Sequence, residues 1–223
     1  MKRRPKVLVI DVGGTSVKIL ATGQTERRTF SSGRDLTPRR MVTGVKRLSK
    51  GWRYDVVSLG YPGPVRDGRP ADEPRNLAMG WVGFDYQAAF GCPVKIINDA
   101  AMQALGSYRG GSMLFLGLGT GLGAAIVVDG TLVPLELARL SIGRKTFEYD
   151  LGVRGLKKLG RKKWQKRVER VAQRFISAML LDDVVLGGGN AKKLTTLPVG
   201  CRLGHNANAF LGGFKLWEEA NRP

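Results

Sequence analysis

Glycine-dense turns, and the two aspartates beside them, are the parts of this chain whose residue types could do chemistry. Asp11-Val12-Gly13-Gly14-Thr15 follows one apolar run, Gly117-Leu118-Gly119-Thr120-Gly121-Leu122-Gly123 follows another, and Gly187-Gly188-Gly189-Asn190 follows a third. Such turns let backbone N–H groups converge on phosphate oxygens with no side chain in the way. The phosphate motif is neither of the two commonest ones. No G-x-x-x-x-G-K-[ST] loop occurs. Gly119, Gly121 and Ala124 do satisfy G-x-G-x-x-A, but that fingerprint must open a helix, and Ala125-Ile126-Val127-Val128-Asp129-Gly130 reads as a strand and a hairpin. Two glycine hairpins, one in each half, suit a phosphate chain gripped from both sides. The plainer reading is two tight turns.

The elements that position these turns are legible from pattern. Lys6–Ile10 and Val17–Ala21 read as strands flanking the first turn. Thr37-Pro38 reads as a helix cap followed by proline at the first helical position, opening a basic helix to about Lys50. Asp55–Leu59 is a strand ending in the stiff turn Gly60-Tyr61-Pro62-Gly63-Pro64, and residues 66–80 form a polar loop. Val94–Ile97 runs as a strand into Asn98-Asp99, with Asp99 expected to cap a helix over Ala100–Tyr108. Met113–Leu118 and Ala124–Val128 repeat the strand–turn–strand grammar, and Asp129-Gly130 signals a hairpin before Thr131–Val133. A long helix is expected over Lys162–Leu180, a strand over Asp183–Leu186 and a final amphipathic helix over Asn206–Ala220.

Composition narrows the class. Glycine is 31 of 223 residues, about twice its usual share, without a Gly-X-Y period. Cys92 and Cys201 are the only cysteines, which excludes a disulfide framework and a Cys-rich zinc site. No apolar run is long enough to span a bilayer, and the basic start is followed by too few apolar residues for a signal peptide, so a soluble cytoplasmic protein is expected. The net charge of +19 is concentrated. Residues 1–53 carry 14 basic against 3 acidic residues, and residues 144–174 carry 12 against 3. The second segment includes Lys162, Lys163, Lys166 and Arg167. Clustered cations attract polyanions such as nucleic acid or polyphosphate.

With these motifs in order along the chain, the sequence resembles the sugar kinases of the ROK family, within the hexokinase–actin–Hsp70 superfamily, and among them the polyphosphate glucokinases. The resemblance rests on Asp11 to Lys18, Tyr61 to Val65, Asn76-Leu77 with Trp81, Ile97 to Ala100, Leu118 to Gly123 and Val184 to Gly189. It implies an α/β fold of two RNase H-like, actin-like lobes around a central cleft. The expected lobes are residues 1–109, with helix 206–223 packing back on them, and residues 110–205. It implies phosphoryl transfer from polyphosphate or ATP to the 6-hydroxyl of glucose or a related hexose, with Mg²⁺. Asp99 would be the general base and Asp11 the residue orienting the metal. Asn76, Asn98, Glu136 and Arg139 would line the sugar. Gly13, Gly14, Thr15, Lys18, Gly119, Thr120, Gly121, Gly187, Gly188 and Gly189 would meet phosphate or nucleotide. A homodimer is the assembly to test for, and no membrane partner is expected.

Two departures stand out. The family follows its sugar-binding glutamate with glycine and histidine; here Glu136-Leu137-Ala138-Arg139 lacks both. The zinc motif of many members is also absent. The chain is short for the family, so trimmed loops around the sugar are expected. His205, the single histidine, matches no motif, and Trp81 and Trp164 are expected in the core. Two other classes stay open: a sugar-binding or regulatory relative that has lost catalysis, and a nucleic-acid binder, which would lack a helix-turn-helix extension and interleaved aromatics.

Overall fold

The computed structural model describes residues 3–142, 145–205 and 207–218. It divides into two compact units: the chain up to Met102 together with the segment from Ala209 onward, and Gln103–Asn208. The expected final helix therefore has its first residue, Asn206, and everything from residue 219 outside the described residues.

In the first unit, strands β1 (Val7–Val12), β2 (Ser16–Ala21), β3 (Arg28–Ser31) and β4 (Val56–Tyr61) are followed by a small hairpin, β5 (Val65–Arg66) with β6 (Arg69–Pro70), and then by β7 (Val94–Asn98). The main sheet has the order β3-β2-β1-β4-β7. Its first three strands pair antiparallel, and β1, β4 and β7 run parallel. Helix α1 (Pro38–Leu48) starts as its sequence dictates: the Thr37 side chain accepts from the Arg40 amide, and Pro38 sits where no donor is needed. Met41, Val42 and Val45 bury one face of it in a core built on Leu8, Ile10, Ile19, Leu59 and Trp81. Helices α2 (Tyr86–Phe90) and α3 (Asp99–Ser107) flank β7. On the other sheet face, Ala209 and Phe210 of the last helix, α6 (Asn208–Lys215), pack with Val7, Val9, Val56 and Met102.

The second unit repeats the plan. Strands β8 (Ser112–Leu118), β9 (Leu122–Val128), β10 (Thr131–Leu135), β13 (Asp183–Gly187) and β14 (Cys201–Leu203) form a sheet of order β10-β9-β8-β13-β14. Again three strands are antiparallel and the rest parallel. Asp129 and Gly130 both have positive φ, at 47° and 79°, as the hairpin signal requires. A small pair, β11 (Ser141–Ile142) and β12 (Lys145–Thr146), leads to α4 (Phe147–Leu151) and α5 (Val153–Met179). The helix expected over Lys162–Leu180 is the long second part of α5; the turns before Gly160 belong to a separate short segment, because Gly160 at φ 71° and ψ 161° breaks the helical path. Trp164, Val168, Val171 and Ala172 bury the long segment against Leu114, Leu116 and Val184.

Both tryptophans read as core are fully buried. Trp81 stacks at 5.8 Å on Tyr61, and the Trp164 indole donates to the Leu151 carbonyl. The cysteines also pack, Cys92 in the first core and Cys201 in the second, and burial pushes the Cys201 thiol up to about 11.

Candidate active site

In the first unit, the β1–β2 register places Asp11 opposite Lys18, and the Lys18 ammonium donates to the Asp11 carboxylate at 3.1 Å. Asp11 is buried, and this contact gives its carboxylate a partner where water has little access. The turn between the two strands is held by its own backbone, Gly13 N–H to Ser16 carbonyl at 3.0 Å. It is braced by Ser32 at the end of β3, whose hydroxyl donates to the Gly13 carbonyl at 2.6 Å and whose amide donates to the Thr15 carbonyl. Gly14 and Thr15 are left exposed at its tip.

The strands carry Asn98 and Asp99 to the same end of the sheet, since Asp11 pairs with Gly60 on β4 and Tyr61 pairs with Asn98 on β7. The helix cap falls on Asn98 rather than Asp99. The Asn98 Oδ1 accepts from the amides of Ala100 and Ala101, while its Nδ2 donates to the Gly63 carbonyl. Asn98 therefore ties β7, α3 and the proline turn together, and its amide is largely committed to the backbone. This frees Asp99 from the capping role. One Asp99 oxygen accepts from the Ala100 amide. Burial, and next the negative charge of Asp11, push its carboxyl up to about 7. A carboxyl poised there can take a proton from a hydroxyl near neutrality.

Asn76 is exposed, and its side chain lies beside Gly14, where a Cβ would stand 3.6 Å from the Asn76 Cβ. The loop that presents it is clamped by residues the sequence did not single out. The Glu73 carboxylate accepts from the amides of Trp81 and Val82, and the Tyr61 hydroxyl donates to the Asp72 carbonyl.

In the second unit, the loop of Gly119, Thr120 and Gly121 joins β8 to β9 and is locked by the glycine turn after β13. Asn190 donates from its amide to the Leu118 carbonyl and from Nδ2 to the Gly119 carbonyl, both at 2.9 Å. Gly188, at φ 81°, approaches so closely that a Cβ would lie 2.7 Å from the Leu118 backbone. Asn190 is thus a structural partner that the glycine motif concealed. Gly187 ends β13, and Gly189 opens onto free space. Thr120 is exposed, and its carbonyl accepts from the first amide of α5, Val153, at 3.4 Å. Glu148 of α4 reaches the same loop, its carboxylate lying against Gly121. Glu136 and Arg139 face each other at 4.0 Å, both half exposed or more.

The predicted residues thus form two sets. Asp11, Gly13, Gly14, Thr15, Lys18, Asn76, Asn98 and Asp99 belong to the first unit, and Gly119, Thr120, Gly121, Glu136, Arg139, Gly187, Gly188 and Gly189 to the second. Lys18, expected to meet phosphate, is paired with Asp11. His205 accepts at Nδ1 from the Ala207 amide in an exposed turn.

Comparison with known proteins shows the family and the fold. The ROK family model matches residues 7–134. The polyphosphate glucokinase of Mycobacterium tuberculosis is 30% identical over 207 residues, covering 82% of this chain and 77% of its own. The bifunctional enzyme NanE/NanK of Brucella melitensis is 32% identical over 149 residues, 57% of this chain and 27% of that one. The fold is that of the inorganic polyphosphate/ATP-glucomannokinase from Arthrobacter sp. strain KM, with a TM-score of 0.80 at 23% identity over 95% of this chain and 97% of the other. It is also that of a ROK family glucokinase from Streptomyces griseus, with a TM-score of 0.74 at 14% identity over 96% and 100%. The chain belongs to the ROK family.

Proposed function

We propose that this protein is a cytoplasmic sugar kinase that moves a phosphoryl group from polyphosphate or ATP to the 6-hydroxyl of glucose or a related hexose. The observation that carries the reading is Asp99, a carboxyl pushed up to about 7 at the end of the sheet that also carries Asp11. In this reading Asp99 accepts the proton of the sugar hydroxyl as that oxygen attacks phosphorus. Asn76, Glu136 and Arg139 contact sugar hydroxyls. Asn98 contributes by fixing the start of α3, and so the Asp99 carboxyl. The exposed tip of Gly14 and Thr15 and the loop of Gly119, Thr120 and Gly121 offer amides to phosphate oxygens. The glycines after β13 hold that second loop in shape.

Magnesium fits this site. Asp11 and Asp99 are two carboxylates whose mutual repulsion contributes to raising Asp99, and among the described residues no group of three or more His, Cys, Asp or Glu could hold an ion. An ion held by one or two carboxylates, water and substrate phosphate is the usual magnesium arrangement. Asp11 would hold it. When bound, the ion neutralises charge on the transferring phosphoryl group.

Where the family has a histidine after its sugar-binding glutamate, this chain has Arg139, whose guanidinium can donate but not accept. Its approach to Glu136 draws on the same acceptor a sugar would use, which supports a weak hold on glucose. A coupled assay of glucose phosphorylation with polyphosphate, ATP and GTP tests the reading. Turnover with at least one donor is expected, and none with any of them would overturn it.

A further inference from the structure

The second unit carries a row of cations that starts beside the Thr120 loop, and the proposed activity leaves it unused. The first amide of α5 is bonded to the Thr120 carbonyl. From there Arg154, Lys157, Lys158 and Arg161 are exposed in turn. Past the break at Gly160, Lys163, Lys166, Arg170 and Arg174 follow, all exposed and spaced by three or four residues. That spacing sets them on one face, opposite the buried Trp164, Val168 and Val171. The row from residue 163 to residue 174 extends about 16 Å along the axis. Arg167, grouped by sequence with these lysines, is not one of them. It turns inward to the buried Asp150 at 3.5 Å and pins α5 to α4. Glu169 is the only carboxylate in residues 161–179. Near the loop lies the carboxylate of Glu148, and the hydroxyl of the next residue, Tyr149, accepts from Lys158 at 3.2 Å.

We propose that the exposed face of α5 is a docking track for the distal part of a long inorganic polyphosphate chain, whose near end is held at the Gly119–Gly121 loop. This rests on the sugar-kinase reading for the near end only. The occupant is argued from two features. The cations adjoin a loop whose glycine amides suit phosphate. From residue 161 to residue 179 the track also offers no stacking surface for bases, since the aromatic residues of that stretch, Trp164 and Phe175, pack in the core. Charges repeating along a helix with nothing to read a base match a polymer that is phosphate throughout.

The variant for the test combines Lys163→Gln, Lys166→Gln, Arg170→Gln and Arg174→Gln. These are exposed helix positions where glutamine is well tolerated. Binding of end-labelled long polyphosphate to the full chain is followed by fluorescence anisotropy, and glucose phosphorylation is measured with long polyphosphate, tripolyphosphate and ATP. Losing four phosphate contacts should flatten the salt dependence. Between about 50 and 200 mM salt, wild type should lose roughly 50-fold more affinity than the variant, taking about 0.7 ion released per contact as for single strands. The KM for long polyphosphate should rise in the variant while tripolyphosphate and ATP kinetics stay unchanged. Equal affinity and salt slope in both proteins would overturn the track while leaving the kinase reading intact. Displacement of polyphosphate by single-stranded RNA at equal phosphate concentration would overturn it in favour of a nucleic-acid surface. If neither protein phosphorylates glucose, the kinase reading fails, and the anisotropy comparison still decides the track.

Discussion

Replacing Asp99 by asparagine should make the protein inactive and, at alkaline pH, more stable. Asparagine keeps the oxygen that accepts from the Ala100 amide, and it leaves the cap on Asn98 undisturbed. It cannot accept a proton, so turnover should fall by about 10²- to 10⁴-fold, the range for loss of a general base. The stability gain follows from the raised pKa. An acid whose folded value lies above its unfolded value holds extra protons in the folded state. Its contribution is complete below about 3.8 and is lost as pH rises through about 7. Between pH 5 and the folded value near 7 the wild type therefore loses at most about 3 kcal/mol that the asparagine variant keeps. Urea unfolding of both proteins at pH 5 and pH 8 measures this. The variant should gain on wild type by up to that amount at the higher pH. The wild-type turnover number should fall about tenfold per unit as pH drops below about 7. A variant that turns over normally, or that loses stability relative to wild type at pH 8, would refute the placement of an ionisable base in this setting.

Lys18→Met removes the partner of a buried carboxylate and should cost about 1–3 kcal/mol in urea unfolding at neutral pH. It should also shift the turnover profile to higher pH, because Asp11 then bears on Asp99 without a neighbouring cation. Gly188→Ala meets the Leu118 backbone at 2.7 Å in a left-handed conformation, so it should destabilise the second unit by more than about 1 kcal/mol and raise the KM for every donor. The pair Ala138→Gly and Arg139→His should tighten glucose binding about 5- to 150-fold, one well-placed hydrogen bond's worth. It should leave unfolding free energy within about 1 kcal/mol, because the exposed Arg139–Glu136 contact contributes little. Glucose kinetics at saturating donor check the first outcome and denaturant melts the second.

What the sequence made legible was whatever depends on local chemistry. The Thr37-Pro38 start of α1, the Asp129-Gly130 hairpin and the strands around each glycine turn are local rules, and the structure shows each of them. Strand β3 was missed because Arg28–Ser31 is short and mostly exposed, so it carries no apolar alternation. Strand β14 pairs with β13 alone at a sheet edge and is as short. The short helical segment before Gly160 was not expected, because the break at Gly160 separates it from the periodic stretch that follows. In the site, Asp11 and Asp99 could be named from motifs, but their electrostatic coupling is set by strand register across β1, β4 and β7. The Asn98 cap was hidden because the adjacent Asp99 is an equally good capping residue, and the Glu73 and Asn190 clamps because they act across loops. Each is a polar side chain closing a backbone hydrogen bond, and for Glu73 and Asn190 that bond closes a loop whose path pattern alone does not show.

The most direct test of the central claim is phosphorus NMR of the product formed from glucose, magnesium and either polyphosphate or ATP, with wild type and the Asp99→Asn variant side by side. The account predicts a phosphomonoester at the 6-position of glucose with wild type and essentially none with the variant. Equal product from both proteins, or none from wild type with either donor, would contradict it.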